Sequence, residues 1–316
     1  MVSSSYYVTS IIDIAKIFIF RLAIIVSQRK EKRNKNDDKC NFLLWRSFAL
    51  ILFLLKNCID NISLLCYNEQ NTMEENKMSI IVEGHRGFRS LYPENTLCSY
   101  RAAIELGVDA IEFDVWLSRD GVPVIMHDGN TARITGKNAP ITEQTVAELK
   151  SLDAGGYMGE AFRGEQIPTL REVLELCHAL RPSLRLGVEI KDYREETVDK
   201  TVALLKEFGF FDDCWFYAFN ARILRYIKTT YHGRTMGYPD FQMQEFQPDS
   251  YTFYDELGLA MNLVKSELLP FYRAKGLPLH MYCADTEEDA LFCIDHGASL
   301  ITANDPRPLL KLLGRL

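Results

Sequence analysis

The chain has 316 residues, 47% hydrophobic and 25% charged, enough apolar material for a sizeable core in one or two domains. Charge is unevenly placed: residues 1–77 hold 11 Lys and Arg against 8 Asp and Glu, a net of +3, whereas residues 78–316 hold 25 against 35, a net of −10. So acidic a region is a poor nucleic-acid binder, because phosphate contacts need clustered Lys and Arg.

Residues 1–77 do not match the rest. Two apolar runs, roughly Ile11–Val26 and Phe42–Leu55, flank the polar, mostly basic run Gln28–Lys39. A membrane-spanning helix wants about 20 largely apolar residues, but Asp13, Lys16 and Arg21 interrupt the first run, and the second is short and contains Arg46. No small-residue cleavage site follows cleanly. Three readings stay open for this extension: a membrane anchor, an amphipathic surface helix pair, or a translated upstream region outside the working protein. Met78, directly before SIIVEGHRG, favours the last.

From Met78 onward, short β-branched or aromatic runs alternate with helical patterns, which predicts a parallel sheet of βα units. The expected strands are Ile80–Glu83, Ala110–Leu117, Arg185–Ile190, Cys214–Phe219, Arg234–Tyr238, Gly258–Asn262, Leu277–Cys283 and Ser299–Thr302. Helices are expected at Thr96–Leu106, Thr169–Leu180, Glu195–Phe208, Ala221–Tyr231, Lys265–Ala274 and Glu287–His296. Thr169 followed by Glu172 reads as a helix N-cap with its capping-box acid. Eight strands in 239 residues fit a (β/α)8 TIM barrel of about 250 residues; the alternative is an open doubly wound sheet. Gly129–Gln166, after the second strand, is longer and richer in Gly than an ordinary βα loop and reads as a small insertion. The eight cysteines are scattered without a CxxC pair, so they read as reduced thiols of a reducing compartment. Cys214 and Cys283, inside apolar runs, are expected to be small core residues.

Charged or ionisable residues lie at or inside these strands, where they are expensive unless paired, metal-bound or used in chemistry. Glu112 and Asp114, two apart on one strand, share a face. Two carboxylates at a barrel mouth repel without a cation, and a hard divalent ion with oxygen ligands is the natural partner, with Glu189 as a third carboxylate. His85 and His127 sit at strand ends beside Arg86 and Asp128. Singly either could be structural; as a pair, two imidazoles serve as base and acid in one cycle. Asp128 orients one tautomer or caps the next turn. Arg86 offers a planar fork for phosphate and Lys191 a point charge, or a structural ion pair. Glu94 and Asn95, before a helix, either cap it or face the site.

HRG at 85–87, PENT at 93–96, E-x-D at 112–114, HD at 127–128, IPTLREVL at 167–174 and EIK at 189–191 resemble, in this order, the glycerophosphodiester phosphodiesterase family. The similarity runs from about Met78 to Pro306. It implies a TIM barrel of the PLC-like phosphodiesterase type over residues 78–316, with the insertion helping to shape the substrate pocket. It also implies that Glu112, Asp114 and Glu189 bind one divalent metal, Mg²⁺ or Ca²⁺, and that His85 and His127 are catalytic. Arg86, Glu94, Lys191 and Tyr282 would contact the substrate or its phosphate; Tyr282 stands where the family commonly has Trp. The implied reaction gives sn-glycerol 3-phosphate and an alcohol, through attack by the substrate's own glycerol 2-hydroxyl and a cyclic phosphate that water opens. ITANDP (Ile301–Pro306) matches only loosely, and no catalytic role is carried from it. The partner expected is a small-molecule glycerophosphodiester in the cytoplasm, with membrane contact only through residues 1–77. The alternatives are a related barrel phospholipase acting on membrane lysolipids and a non-catalytic binding barrel.

Overall fold

The computed structural model describes residues 80–316; the three readings of residues 1–77, with Cys40, Cys58 and Cys66, fall outside them. Nine strands follow: β1 (Ile81–Gly84), β2 (Ala110–Leu117), β3 (Pro123–Ile125), β4 (Arg185–Ile190), β5 (Cys214–Tyr217), β6 (Arg234–Gly237), β7 (Glu256–Ala260), β8 (Leu279–Tyr282) and β9 (Ala298–Ala303). All but β3 pair in parallel in the order β1-β9-β8-β7-β6-β5-β4-β2, and β1 pairs with β2 to close the cylinder. This is the expected (β/α)8 barrel. Both faces of a barrel strand are covered, by side chains within and helices without, so the strands read as nearly unbroken apolar runs.

The helices are α1 (Leu97–Leu106), α2 (Ala132–Thr135), α3 (Val146–Lys150), α4 (Leu170–Leu180), α5 (Glu195–Glu207), α6 (Ala221–Tyr231), α7 (Met261–Val264), α8 (Leu269–Arg273), α9 (Glu287–Asp295) and α10 (Arg307–Leu312). Thr169 caps α4 as expected: its side chain accepts from Glu172 N, and the Glu172 carboxylate accepts in return from Thr169 N. Among the described residues, no helix is long and apolar enough to cross a membrane.

Three expectations need correction. The strand expected at Gly258–Asn262 runs from Glu256 to Ala260, and Met261 already starts α7. Glu256 extends the strand despite its charge because it is buried and accepts from Trp215 Nε1 at 3.1 Å. The helix expected at Lys265–Ala274 is two short helices: Pro270 stands in the first turn of α8, and Ser266 Oγ takes the Leu268 amide in the break. Cys283 is only half-buried rather than core. Among the described residues Cys98, Cys177, Cys214, Cys283 and Cys293 are free thiols.

β3 stands outside the eight expected barrel strands, and it supplies the strand end at which His127 was expected. It turns back along β2 with Val115 opposite Ile125, so Met126 and His127 leave it alongside the carboxyl end of β2. The insertion that follows this hairpin has its own small core: Val124, Met126, Ile134, Ile141, Leu149, Ala154 and Ile167.

Candidate active site

The carboxyl ends of parallel barrel strands carry their chemistry on the βα loops above them. The first of these is the His85-Arg86-Gly87 turn, in which Arg86 and Gly87 have φ of 53° and 87°. A Cβ on Gly87 would stand 2.4 Å from Ser99 Oγ. That hydroxyl donates to Arg86 O at 3.1 Å and accepts from Phe88 N at 2.9 Å, pinning the turn to α1. The N-cap of α1 is Thr96, so neither Glu94 nor Asn95 caps it.

Strand register gathers the carboxylates. Asp114 on β2 pairs with Glu189 on β4, and Glu112 pairs with Gly187. Gly187 leaves the space a side chain would take, since a Cβ there would stand 2.3 Å from Glu83 Oε1. Oxygens of Glu112, Asp114 and Glu189 lie within 4.8 Å of one another, and all three residues are buried. Two of these oxygens, Glu112 Oε1 and Asp114 Oδ1, are buried without a hydrogen-bond donor. Lys191 Nζ stands 3.2 Å from Asp114 Oδ1 without the alignment to donate to it, while holding Glu189 Oε1 at 2.5 Å. Arg86 Nε likewise stands 3.4 Å from Asp114 Oδ2 and donates to nothing.

Burial pushes the Glu112 carboxyl well above the usual carboxylate range, and the Asp114 and Glu189 charges push it further. Burial works against Asp114 as well, but Lys191 and Arg86 overcome it and hold that carboxyl low. Glu189 is raised by burial, with Lys191 opposing. Three crowded carboxylates with orphaned oxygens fit a hard divalent cation.

His85 and His127 line the same cavity, with Arg86, Glu112, Glu189, Lys191 and Tyr282. Their Nδ1 atoms meet different partners. His85 Nδ1 is 2.6 Å from Asn304 Oδ1. Asn304 is oriented by Asp285, which accepts from its Nδ2 and its backbone N, each at 2.6 Å. Asn304 Oδ1 is therefore the acceptor, so His85 carries its proton on Nδ1 and leaves Nε2 as a lone pair. Burial, with the Arg86 charge, lowers the His85 ring from 6.5 to about 3. His127 Nδ1 meets a carboxylate, Asp128 Oδ1, at 2.6 Å. Burial lowers this ring too, against the raising pull of Asp114 and Asp128. Asp128 thus faces the imidazole; the expectation had left open whether it would cap a turn.

Glu94 is buried but lies outside the cavity lining. It accepts from Arg86 Nη1 at 2.8 Å and from Arg133 Nη2 and Nη1 at 2.7 and 3.1 Å, with Arg89 Nη2 at 3.4 Å. These guanidiniums keep its carboxyl at about 2 despite burial, which alone would raise it. Asn95 donates to Asp114 Oδ2 at 2.8 Å and is itself held by Tyr100 OH. Tyr282 ends β8 in an aromatic wall: its ring meets Tyr238 edge-on at 5.8 Å, and Phe219 stacks on Tyr238 at 3.8 Å. Asn304, Asp285, Arg133, Phe219 and Tyr238 escaped the sequence reading; only the loose ITANDP match pointed towards one of them.

Fold and site together define a TIM-barrel enzyme built for an anionic ester. The sequence profile of the Glycerophosphoryl diester phosphodiesterase family matches residues 85–307. A glycerophosphodiester phosphodiesterase of Caldanaerobacter subterraneus is 31% identical over 251 residues, covering 75% of this chain and 98% of the relative. An Oleispira antarctica phosphodiesterase, solved in complex with the product sn-glycerol-3-phosphate, superposes with a TM-score of 0.67 at 27% identity, over 75% of this chain and 98% of that one. A glycerophosphodiester phosphodiesterase of Agrobacterium tumefaciens, at 22% identity and a TM-score of 0.62 over 73% and 99%, shares the fold. The chain belongs to the glycerophosphoryl diester phosphodiesterase family, and with it to the phosphoric diester hydrolases.

Proposed function

We propose that the enzyme hydrolyses glycerophosphodiesters to sn-glycerol 3-phosphate and an alcohol, with one divalent ion, Mg²⁺ or Ca²⁺, and with His85 as base and His127 as acid. One observation carries the reading: a single cavity is lined by two imidazoles whose Nδ1 partners differ, a neutral amide for His85 and a carboxylate for His127. A neutral acceptor and nearby Arg86 favour the uncharged, proton-accepting ring; a carboxylate supports the charged, proton-donating one. The product named for the Oleispira relative supports the same substrate class.

Glu112, Asp114 and Glu189 would hold the ion, which when bound supplies Lewis-acid polarisation of a phosphoryl oxygen. Arg86 and Lys191, both lining the cavity, bring two positive charges to the phosphate. His85 Nε2 takes the proton of the substrate's glycerol 2-hydroxyl as that oxygen bonds to phosphorus. The bond from phosphorus to the leaving alcohol breaks, and His127 Nε2–H protonates the departing oxygen. This leaves a cyclic phosphate, which water opens with the two histidines in exchanged roles. The working unit is residues 78–316, in the cytoplasm. The test is a panel of glycerophosphodiesters and lysolipids with coupled detection of glycerol 3-phosphate. Turnover confined to lysolipids would put the enzyme with the barrel phospholipases instead.

A further inference from the structure

Arg133 has no part in the chemistry just described and does not line the cavity, yet its guanidinium joins both halves of the site. It sits on α2, in the insertion, which is anchored by buried Thr131 and Ile134. Nε donates to Asp128 Oδ2 at 2.6 Å, while Nη2 and Nη1 take both oxygens of Glu94. The other Asp128 oxygen holds His127 Nδ1, and Glu94 Oε1 also holds Arg86 Nη1. One planar fork thus closes the chain His127–Asp128–Arg133–Glu94–Arg86. Arg133 is 45% exposed on its side chain, where an ion pair adds little to stability. A guanidinium can serve two carboxylates in fixed directions; an ammonium is a point charge that cannot.

We propose that Arg133 is a positioning residue for proton donation: by clamping Asp128 against Glu94 it holds the His127 ring in register with the phosphate gripped by Arg86, so that Nε2–H points at the leaving oxygen. Asp128 is free to turn on its exposed side without this clamp, and His127 turns with it. The proposal rests on His127 being the acid.

Its test exploits the leaving group. An alkyl alcohol needs a proton to depart, whereas p-nitrophenolate departs unaided. The full-length enzyme and its R133A, R133K and H127A variants are assayed for alcohol release from the ethyl and the p-nitrophenyl esters of glycerol 3-phosphate. A positioned acid supplies about 10²–10⁴-fold, so loss of register in R133A and R133K should lower kcat on the ethyl ester by roughly 10- to 100-fold. On the nitrophenyl ester kcat should change by under about 3-fold, with KM nearly constant on both, because the missing proton is the only defect. An equal loss on both esters, a loss confined to KM, or wild-type rates in R133K each overturn the proposal. H127A tests the reading beneath it: if that variant shows no preference for the nitrophenyl ester, His127 is not the acid and the inference falls with it. If H127A shows the preference and the Arg133 variants do not, only the positioning role is wrong. R133K keeps the positive charge and so serves even where R133A does not fold.

Discussion

Asn304 Oδ1 lies 2.6 Å from His85 Nδ1, and the same amide donates its Nδ2 to Asp285, so that it presents only its acceptor oxygen to the ring. The tautomer of His85 is therefore set by a residue 219 positions away. Asn304→Leu keeps approximate shape and removes the amide acceptor, leaving His85 Nδ1 only the weaker partner Cys283 Sγ at 3.3 Å, so the ring's proton and orientation are held less firmly. We expect kcat to fall by roughly 10- to 100-fold, part of the ~10²–10⁴-fold of a positioned base, with the melting temperature within a few degrees of wild type. Saturation kinetics and calorimetry on one preparation check this; unchanged kcat removes Asn304 from the mechanism.

Metal loading should release protons. The Glu112 carboxyl is raised well above its ordinary value by burial and by Asp114 and Glu189, so it keeps its proton to higher pH than an ordinary carboxylate does. A ligand carboxylate must give that proton up, so affinity rises with pH and weakens as pH falls. Titration calorimetry in two buffers of different ionisation enthalpy reads the proton count. Glu112→Gln should weaken binding and flatten its pH dependence. Full activity in excess chelator would remove the metal altogether.

A substrate lacking the glycerol 2-hydroxyl should bind and fail to turn over, because the five-membered cyclic phosphate needs that oxygen and the remaining terminal hydroxyl lies one carbon further from phosphorus. Inhibition constants and product release measured together decide it. Efficient cleavage would mean direct attack by water, with the two-histidine assignment intact and the cyclic intermediate gone.

Gly87→Ala should destabilise the fold by roughly 1–3 kcal/mol, the cost of a strained left-handed residue. Here φ is 87° and the new Cβ would meet Ser99 Oγ at 2.4 Å. Denaturant melts give the number, and a shift near zero would show that the turn relaxes freely.

Residues 78–316 should fold and act without the first 77, since Asn76–Leu316 forms a compact unit that contains every residue of the site. If the truncated chain is insoluble while the full chain works in detergent, the extension is a functional anchor.

Much of this was legible because strand chemistry has period two. Glu112 and Asp114 alternate with Ile111, Phe113 and Val115, so their shared face follows from spacing alone. Charge inside an apolar strand misled the same logic at β7, where buried Glu256 belongs to the strand and was excluded from it. β3 was legible only as the strand end before His127, because three residues carry too little pattern to show that it turns back along β2. Arg133 gave no signal: it stands in a short turn of a Gly-rich insertion, and only three-dimensional closure brings it to Glu94 from 39 positions away. Asp285 and Asn304 meet for the same reason, each just past the end of its own strand.

The pairing of β1 with both β2 and β9 has a consequence for biosynthesis. As the chain leaves the ribosome, Ile81–Gly84 finds β2 soon after it emerges, but its other edge waits for Leu300–Ala303, after every other strand of the barrel. Until then the nascent barrel is an open sheet with two bare edges, the form most exposed to wrong pairing. His85 meanwhile lacks Asn304, so a chain that stalls before β9 is both sticky and inert, and the strand that closes the barrel is also the one that completes the base.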